Sequence, residues 1–347
     1  MTIATTRLRA ALLSLHRRMA PPPVGILESM LGLLDNAALV ACCELGIPER
    51  LTRPMRVDEL GAALGVEVEP LDRLLRFAAA RGWLAFGRGD RVKPTRTTRF
   101  LRADHPGGWR AWVDFAGSGE VSSAARALSD STRAGTSGFA HAHGAEFFAW
   151  MTDHPARHAV FDGAMDAGAR LHALALSAAL PWREASRVCD VGGGSGALLR
   201  ALLGAHSHLS GVLFDLPAVI ARAEPHDRIE PVGGDAFAAV PAGCDTYLLV
   251  NVLHDWGDDD CARLLGRVAD AMPADGRVVV VDGERAQRAL DTMSTRTDLL
   301  MLVLTATGKE RTTAEFGALG GRAGLRLARS IELASGDRAH VFSRAPA

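Results

Sequence analysis

The sequence has few cysteines, no long apolar run and almost no net charge. Its five cysteines are odd in number and show no C-x-x-C spacing, so neither a disulfide framework nor a zinc site is indicated, and a reduced intracellular protein is expected. No uninterrupted apolar stretch reaches the roughly 20 residues that span a bilayer. The net charge of −1 gives the chain as a whole no attraction to nucleic acid or membrane surfaces. We therefore expect a cytoplasmic protein that binds neither.

The first half of the 347-residue chain has helical patterning. Residues 1–180 carry apolar side chains at helical spacing, interrupted by glycine and proline stops. The first residues have basic side chains on both sides of a short apolar centre and no small-residue cleavage site, which predicts a helix rather than a signal peptide. Residues 54–95 follow the order helix, turn, helix and hairpin, closed near Gly87–Gly89, as in a winged helix. Residues 130–146 are poor in apolar side chains and are predicted to be a connector.

From residue 187 onward, short apolar runs alternate with helical patterns. The runs RVCDV, GVLFD, RIEPV, DTYLLVNV and GRVVVVD are typical of parallel strands that are buried on both faces. The alternation predicts an α/β protein with a doubly wound sheet. The last two strand candidates, 326–334 and 338–344, have no helix between them, so the final strand is expected to run antiparallel. The helical patterns lie near 196–205, 217–223, 258–272 and 313–323.

The segment VCDVGGGSGALL places four glycines between a predicted strand and a predicted helix. Glycine there lets the backbone turn tightly and lets a ligand approach it closely. Asp215 ends the next predicted strand, 21 residues after Gly194, where an acid typically binds ribose hydroxyls. A nucleotide-like cofactor is therefore expected. Gly192, Gly194 and Ala197 also satisfy the dinucleotide pattern G-x-G-x-x-G/A, so NAD(P) stays an alternative, as does a tight turn without a ligand.

Three neighbouring features favour S-adenosylmethionine over a dinucleotide. Asp190 lies two residues before Gly192 and completes the pattern D-x-G-x-G-x-G. The segment GGDAF at 233–237 brings an acid and an aromatic ring, which suit adenine, to the end of the third predicted strand. His254 occupies the loop after the fourth predicted strand. In open α/β sheets, these strand ends all face the ligand crevice.

Taken together, these segments resemble the small-molecule O-methyltransferases, which include plant phenylpropanoid enzymes and bacterial natural-product enzymes. The similarity covers nearly the whole chain. It implies a class I methyltransferase domain that uses S-adenosylmethionine and releases S-adenosylhomocysteine. It also implies a homodimer, in which the N-terminal half of one chain roofs the partner's substrate pocket. The matching segments are CDVGGGSG, LFDLPAVI, GGDAF, VLHDWGDDDC, DLLMLVL and GKERTTAEFGALGGRAG.

The resemblance implies a division into three parts and a set of site residues. Residues 1–130 would form the helical, winged-helix-like dimerisation domain, 131–180 a connector with pocket-lining helices, and 181–347 the Rossmann-like domain that binds S-adenosylmethionine. His254 falls on the family's general base, with Asp282 and Glu310 on its two flanking acids. The implied substrate-pocket residues are Phe161, Met165 and Met301. The implied cofactor contacts are Gly192, Gly194, Asp215 at the ribose, Asp235 and Ala236 on the adenine side, and Phe237 nearby.

The sequence departs from the family's pattern at three places. Val250 stands where many relatives have a lysine, four residues before the histidine. The first flanking acid is usually a glutamate and is here the shorter Asp282, whose neighbour Glu284 is an alternative for the role. The pattern GGKERT is replaced by ATGKERT, which opens or reshapes one edge of the pocket.

The implied chemistry favours an acidic hydroxyl as the methyl acceptor. Methyl transfer from a sulfonium is an in-line displacement, so the enzyme must align the nucleophile and make it electron-rich. A phenol titrates near pH ~10 and a histidine near ~6.5, so full deprotonation before attack would cost about 5 kcal/mol. A neutral histidine whose far nitrogen is held by an acid can remove that proton during the attack. An aliphatic alcohol is far less acidic, so we expect a small hydroxylated aromatic metabolite as substrate.

Several acids near His254 are interpreted as structural. Asp255 and Asp258–Asp260 are expected to solvate and cap the following helix, whose N-terminus favours acids. Asp298 is undecided between the pocket and the scaffold. No metal is expected at His254, because a mononuclear iron or zinc site needs a third protein ligand, often a histidine, and no histidine lies between residues 255 and 339.

Other functions stay open alongside O-methylation. Non-methylating chemistry on the same fold, such as hydroxylation, decarboxylation or a pericyclic reaction, is one alternative, and methylation of carbon or nitrogen is another. A winged-helix transcription factor is the alternative from a different class, because arginines are frequent in 54–95. Acids between those arginines dilute their charge, so a dimerisation module is the favoured interpretation of that segment.

Overall fold

The computed structural model describes residues 3–285 and 292–345. Short 3-10 helices lie at Trp182–Glu184 and Leu253–Asp255. The strands are β1 Met55–Arg56, β2 Leu84–Phe86, β3 Arg91–Pro94, β4 Arg187–Val191, β5 Ser210–Asp215, β6 Ile229–Gly233, β7 Thr246–Val250, β8 Arg277–Asp282, β9 Leu325–Glu332 and β10 Arg338–Arg344. The helices are α1 Ile3–Met19, α2 Pro22–Leu31, α3 Leu33–Glu44, α4 Ile47–Arg50, α5 Val57–Leu64, α6 Val68–Ala80, α7 Arg96–Phe100, α8 Arg110–Ala116, α9 Gly119–Arg126, α10 Leu128–Ala134, α11 Gly138–His143, α12 Phe147–Asp153, α13 Pro155–Ala179, α14 Ala197–Ala205, α15 Pro217–Ile220, α16 Asp258–Ala271, α17 Met293–Leu304 and α18 Thr313–Arg322.

The described residues form two compact units. The larger comprises the residues up to 16, 123–154 and those from 168 onward, and the smaller comprises 17–122 and 155–167. The sequence-based boundaries at 130 and 180 stay a prediction.

The smaller unit contains the predicted winged helix. Helices α5 and α6 are followed by the hairpin β2–β3, which pairs with β1 in a three-stranded antiparallel sheet of order β1-β3-β2. The hairpin turns through Gly89 and Asp90, both at positive φ. The apolar faces of the two helices and the hairpin form one core, because α6 carries buried leucines at helical spacing. The largest contributors to that core are Ile47, Leu51, Leu60, Leu71, Leu75, Leu84 and Val92.

The smaller unit also exposes an apolar helical segment. Residues Pro22–Glu44, which include α2 and α3, are long and apolar enough to cross a membrane by length and composition alone, and 11% of the most apolar part is buried. Glu28 and Asp35 interrupt the segment, so it contains no uninterrupted apolar run of bilayer-spanning length. Soluble core helices can pass the same test, so this is weak evidence for a membrane. Its exposed large side chains are Val24, Ile26, Leu27, Met30, Leu31, Leu33 and Leu34.

The larger unit is built on a seven-stranded sheet of order β6-β5-β4-β7-β8-β10-β9. Strands β4 to β8 are parallel, as predicted, and β10 lies antiparallel between β8 and β9. From β4 the chain adds β5 and then β6 towards one edge of the sheet. It then returns to add β7 and β8 on the other side of β4, so the strand order reverses between β4 and β7. Ligands of such sheets bind at the carboxyl ends of the strands at this reversal. The glycine turn follows β4, and the turn that carries His254 follows β7.

The parallel strands are covered by helices on both faces. Side chains alternate along each strand, so Val278 and Val280 of β8 join one core with α16 and α18, while Val279 and Val281 join a second core with α14 and the end of α13. Strands that are buried on both faces consist of continuous apolar runs, which is why the sequence predicts these strands.

Two helical regions differ from the prediction. The connector expected at 130–146 contains most of α10 and all of α11, because Ser137 caps α11 by accepting the Ala140 N–H at 2.9 Å and Gly135 ends α10 at positive φ. Helix α17 was not predicted. Thr292 caps it, and its apolar run of Leu299–Leu304 is continuous rather than spaced at helical intervals.

Candidate active site

A glycine-rich turn joins β4 to α14 at the carboxyl edge of the sheet. Gly192 and Gly194 have φ angles of 71° and 58°, in a region that strains other residues. The Gly192 N–H donates to the carbonyl of Phe214 at 2.8 Å, and the Gly194 N–H donates to the Asp215 carboxylate at 2.8 Å. A Cβ atom added to Gly194 would meet no atom within 4 Å. The turn therefore presents open backbone beside the acid that ends β5.

Asp190 of β4 is buried next to this turn. Its Oδ2 atom has no hydrogen-bond partner. Burial raises the pKa of Asp190 to about 7, with a further contribution from the negative charge of Asp215. A buried polar atom without a partner is uncommon in native proteins, so this carboxyl group is suited to a ligand that donates a hydrogen bond.

The predicted adenine-side residues follow β6 at the same edge of the sheet. The Asp235 carboxylate is exposed and accepts the Phe237 N–H at 2.9 Å, and Ala236 between them is half-buried. The ring of Phe237 meets the ring of Trp256 edge-on, with 4.8 Å between centroids. Trp256 thus links this segment to the turn that carries His254.

His254 lies in the 3-10 turn that follows β7. The backbone leaves β7 through Asn251, which has a φ of 55° and whose N–H donates to the carbonyl of Val281 at 2.8 Å. Asparagine tolerates this left-handed conformation better than most residues do. The turn directs the His254 side chain inward, so that 13% of it is exposed.

Three carboxylates surround the imidazole of His254. Its Nδ1 atom lies 3.3 Å from Oε1 of Glu310 and 3.7 Å from Oδ1 of Asp282. Its Nε2 atom lies 3.8 Å from Oδ1 of Asp255. The structure therefore brings together His254, Asp282 and Glu310, the three residues that the resemblance implied, and their catalytic roles stay a prediction. It also places Asp255 against the imidazole rather than in a helix cap, because the 3-10 turn ends before α16 begins.

The two acids beside Nδ1 are supported differently. Glu310 accepts a hydrogen bond from the Thr297 hydroxyl at 2.9 Å, and its backbone N–H donates to Asp298 at 2.8 Å. Asp298, left undecided by the sequence, thus supports the backbone of Glu310. Asp282 is fully buried at the end of β8, and both of its carboxylate oxygens lack a hydrogen-bond partner.

These buried charges make His254 a stronger base than a free histidine. Burial by itself lowers the pKa of His254, but the carboxylates of Asp255, Glu310 and Asp282 outweigh it and raise the pKa to about 10. Burial also raises the pKa of Asp255 to about 6 and the pKa of Asp282 well above its usual range. The cluster consequently holds a proton on the imidazole near neutral pH.

Other predicted acids lie elsewhere. Glu284, the alternative to Asp282, accepts the Thr313 hydroxyl at 2.6 Å and lies 3.3 Å from a guanidinium nitrogen of Arg338. Asp258–Asp260 form the first turn of α16, as predicted. Among residues 3–285 and 292–345, no group of three or more His, Cys, Asp or Glu side chains is arranged to hold a metal ion.

The predicted substrate-pocket residues fall in different units. Met301 is buried on α17 of the larger unit. Phe161 and Met165 are half-buried on the part of α13 that belongs to the smaller unit, where Phe161 packs edge-on against Phe115 with 5.2 Å between ring centroids. Their contact with a substrate stays a prediction.

Sequence reasoning did not single out three residues around His254. These are Asn251, Thr297 and Arg311, a fully buried arginine directly after Glu310. Only Asn251 carried a local signal, because asparagine is enriched at positive φ. The contacts of Thr297 and Arg311 depend on which segments meet in space, and no local pattern encodes that.

Two family models match the chain. Residues 126–326, more than half of the sequence, match the O-methyltransferase domain, and residues 27–103 match the O-methyltransferase dimerisation domain. The chain belongs to the O-methyltransferase family. Its α/β half is a class I methyltransferase domain, and its N-terminal helical part is the dimerisation domain of that family.

Known proteins with similar sequences or structures include enzymes of bacterial natural-product biosynthesis. The mitomycin biosynthesis 6-O-methyltransferase of Streptomyces lavendulae is 35% identical over 330 residues, which cover 88% of this chain and 89% of that protein. An O-methyltransferase from neocarzinostatin biosynthesis, solved with S-adenosylmethionine and 2-hydroxy-5-methyl naphthoic acid, has a TM-score of 0.73 and 30% identity, with 90% and 96% of the two chains covered. The N,N-8-amino-8-demethyl-D-riboflavin dimethyltransferase of Streptomyces davawensis has a TM-score of 0.76 and 29% identity, with 94% and 100% covered.

The cofactor of this O-methyltransferase is S-adenosylmethionine, and the residues present fit it. The open backbone at Gly194 gives room for a ligand at the turn. The unpartnered Oδ2 of Asp190 can accept a hydrogen bond, and Asp215 stands at the end of β5, where ribose hydroxyls are bound in this fold.

Proposed function

We propose that the protein transfers a methyl group from S-adenosylmethionine to a phenolic hydroxyl of a small aromatic natural product, with His254 as the general base. The observation that carries the proposal is the buried imidazole at the strand-order reversal, with two acids at Nδ1 and the glycine turn on the neighbouring strand. S-adenosylhomocysteine is the second product. The family membership and the named substrates of relatives support an aromatic acceptor.

Cofactor binding is assigned to the carboxyl ends of three neighbouring strands. When bound, S-adenosylmethionine supplies an electrophilic methyl group on a sulfonium, a cation that favours the neutral form of His254. The open backbone of the glycine turn and the acid at the end of β5 support these assignments. The proposed contacts are Gly192 and Gly194, Asp215 at the ribose, and Asp235, Ala236 and Phe237 on the adenine side.

In the proposed mechanism, His254 receives the phenol proton at Nε2. In the neutral form of His254, which the bound sulfonium favours, Glu310 accepts a hydrogen bond from Nδ1–H, so that this tautomer leaves Nε2 free to act as the base. Asp282 and Glu310 then stabilise the imidazolium that forms. Because the acids raise the pKa of His254 towards that of a phenol, near ~10, the proton transfer is close to balanced. The energy gap expected for an unperturbed histidine is thereby largely removed.

The wild-type protein is therefore expected to transfer labelled methyl from S-adenosylmethionine to phenols and not to the matched aliphatic alcohols. The panel should contain dihydroxynaphthoates, hydroxybenzoates and their benzyl alcohol analogues, and the readout is label in the extracted product. Binding of the cofactor without transfer to any acceptor would contradict the proposal.

Nitrogen methylation is the second candidate, because a solved N,N-dimethyltransferase shares the fold at 29% identity. The same panel should include aromatic amines in place of the corresponding phenols. Transfer to an amine with none to the matched phenol would replace O-methylation by N-methylation as the activity.

The proposal includes a homodimer formed by the smaller unit. The exposed apolar residues of α2 and α3 lie within or next to the match to the dimerisation model, and a second copy of the chain would cover them. The arginines of the winged helix are mostly paired with acids, which supports dimerisation over DNA binding. The pairs are Arg56 with Asp58, Arg73 with Glu69, Arg76 with Asp72 and Asp90, and Arg81 with Asp35.

Replacing Leu27 and Met30 with glutamate is expected to dissociate the dimer, because two charges would be buried in an apolar interface. Light scattering after gel filtration should give twice the chain mass of 36.8 kDa for the wild type and a single chain mass for the double variant. Glu28→Gln, on the same exposed helix, should leave the mass unchanged. A monomeric wild type would contradict the assignment.

A further inference from the structure

We propose that Arg311 is a positioning residue for His254, and that its buried guanidinium holds the backbone turn on which the base is carried. The inference rests on the proposed role of His254 as the general base. It extends that role to a residue that binds the backbone of the turn and the start of α16, and it assigns a function to a side chain that is 0% exposed.

The guanidinium of Arg311 binds both ends of the His254 turn. Nη1 donates to the carbonyl of Leu253 at 2.9 Å, and Nη2 donates to the carbonyl of Trp256 at 2.6 Å. These carbonyls belong to the residue before His254 and to the residue after Asp255. Nε donates to Oδ1 of Asp258 at 2.9 Å, in the first turn of α16. One side chain thus joins the 3-10 turn to the helix that follows it.

The segment that carries Arg311 lies directly against the back of the same turn. A Cβ atom added to Gly308 would lie 2.5 Å from the carbonyl oxygen of His254. Lys309 binds the other carboxylate oxygen of Asp258 at 2.9 Å. Glu310, between the two cations, lies 3.3 Å from Nδ1 of the imidazole. Three consecutive residues therefore bind the helix, the ring and the turn.

In this arrangement, the position of His254 depends on the same segment that carries Glu310. Glu310 and Arg311 are adjacent in the chain, so the acid at Nδ1 and the donor to the turn move together. If the turn shifted, the separation between Nδ1 and Glu310 would change, and Nε2 would move away from the proton that it receives. Misplacement of a reacting group by about 1 Å can lower a rate by about 10²-fold.

Lysine cannot reproduce these contacts, although it keeps the charge. Arginine presents five N–H donors in a rigid fork, and Arg311 uses its three nitrogens on the two carbonyls of the turn and the carboxylate of Asp258. A lysine ammonium is one point on a flexible chain and cannot reach both carbonyls and Asp258 with the same geometry. The substitution Arg311→Lys therefore keeps the positive charge and removes the hydrogen bonds that hold the turn.

The test compares Arg311→Lys with Arg322→Lys as the matched control. Arg322 binds the same first turn of α16, through the carbonyl of Asp258 and the carboxylate of Asp259, but does not bind the turn from Leu253 to Trp256. For Arg311→Lys we expect kcat per cofactor-binding site to fall about 10- to 100-fold. The dissociation constant for S-adenosylhomocysteine should be unchanged, and Arg322→Lys should match the wild type in both.

A readout that is independent of turnover separates this inference from the proposed function. The titration of the His254 ring can be followed by NMR with labelled histidine, and its signal can be assigned by its loss in His254→Ala. In Arg311→Lys the pKa of His254 should fall by about one unit, because the contact of Nδ1 with Glu310 loosens. If the wild type methylates no acceptor, the proposed function fails, and this titration still decides the role of Arg311.

If Arg311 has a purely structural role, Arg311→Lys will have a lower melting temperature than the wild type. Its kcat per binding-competent site and the pKa of its His254 will then equal the wild-type values, and that result would overturn the inference. If Arg311→Lys does not fold, Asp258→Asn provides the second variant, because it weakens the hold on Nε and leaves both carbonyl contacts. Its expected effect has the same direction and is about 3- to 10-fold on kcat. An unchanged kcat and an unchanged titration in Asp258→Asn would then count against the inference.

Discussion

Replacing His254 with alanine is expected to lower kcat for methyl transfer to a phenol by about 10²- to 10⁴-fold, the contribution typical of a general base. The imidazole is the group at the carboxyl edge that can accept the phenol proton while acids hold its other nitrogen. Cofactor affinity should be unchanged, because the proposed cofactor contacts lie on the glycine turn after β4 and at the ends of β5 and β6, whereas His254 follows β7. Initial rates with labelled cofactor and calorimetry with S-adenosylhomocysteine measure the two quantities.

The matched control for this variant is His226→Ala, a histidine outside the cluster around His254. It should keep the wild-type kcat. Full activity of His254→Ala would remove the base from the mechanism. A parallel loss of S-adenosylhomocysteine binding would instead show that the cofactor site had collapsed, and His254→Gln, closer in size, would then be the variant to compare.

Replacing Glu310 with glutamine is expected to move the rising limb of the kcat/KM profile to lower pH by about 1 to 3 units. The reaction needs neutral His254, and the surrounding carboxylates raise the pKa of His254, so the wild-type rate should increase towards alkaline pH. Glutamine can still accept the Nδ1–H hydrogen bond but removes one negative charge, which lowers the pKa of His254. The plateau should fall about 10-fold or more, because the imidazolium formed during transfer loses a charged partner.

Asp282→Asn is the control for the charge argument. Burial raises the pKa of Asp282 above its usual range, and its Oδ1 lies 3.7 Å from Nδ1 of His254 whereas Oε1 of Glu310 lies at 3.3 Å, so the loss of the Asp282 charge should affect the pKa of His254 less. Its pH limb should therefore move less than that of Glu310→Gln. A larger shift for Asp282→Asn would mean that Asp282, and not Glu310, is the charged partner of the base.

Much of the α/β fold could be predicted from local sequence. The strands β4, β5, β7 and β8 are continuous apolar runs because both of their faces are buried, and their boundaries agree with the prediction to within two residues. The antiparallel β10 followed from the missing helix after β9. Helix α17 could not be predicted in this way, because its apolar residues form a continuous run without helical spacing, of which Met301, Val303 and Leu304 are buried.

The site was predictable where its residues belong to contiguous motifs. The glycine turn, Asp215 and His254 each end a recognisable strand, and such ends converge at the strand-order reversal. The prediction that Asp255 caps α16 was wrong. Asp255 ends a short 3-10 turn that precedes α16, and its carboxylate lies 3.8 Å from Nε2 of His254. The support of Glu310 by Thr297 and the binding of the turn by Arg311 arise from segments that are distant in sequence, so only the folded chain reveals them.

The position of β10 has a consequence for the order in which the site is assembled. Strand β8 pairs with β7 on one side, and its other side is paired only by β10, the last strand that the structure describes. Arg338 of β10 lies opposite Asp282 in the sheet. The exclusion of solvent from Asp282 therefore depends on a strand that is synthesised after every other part of the site. A nascent chain that has not yet added β10 already contains the glycine turn, Asp215 and His254. It lacks the strand that pairs with β8 beside Asp282, and it exposes an aliphatic strand edge to other chains.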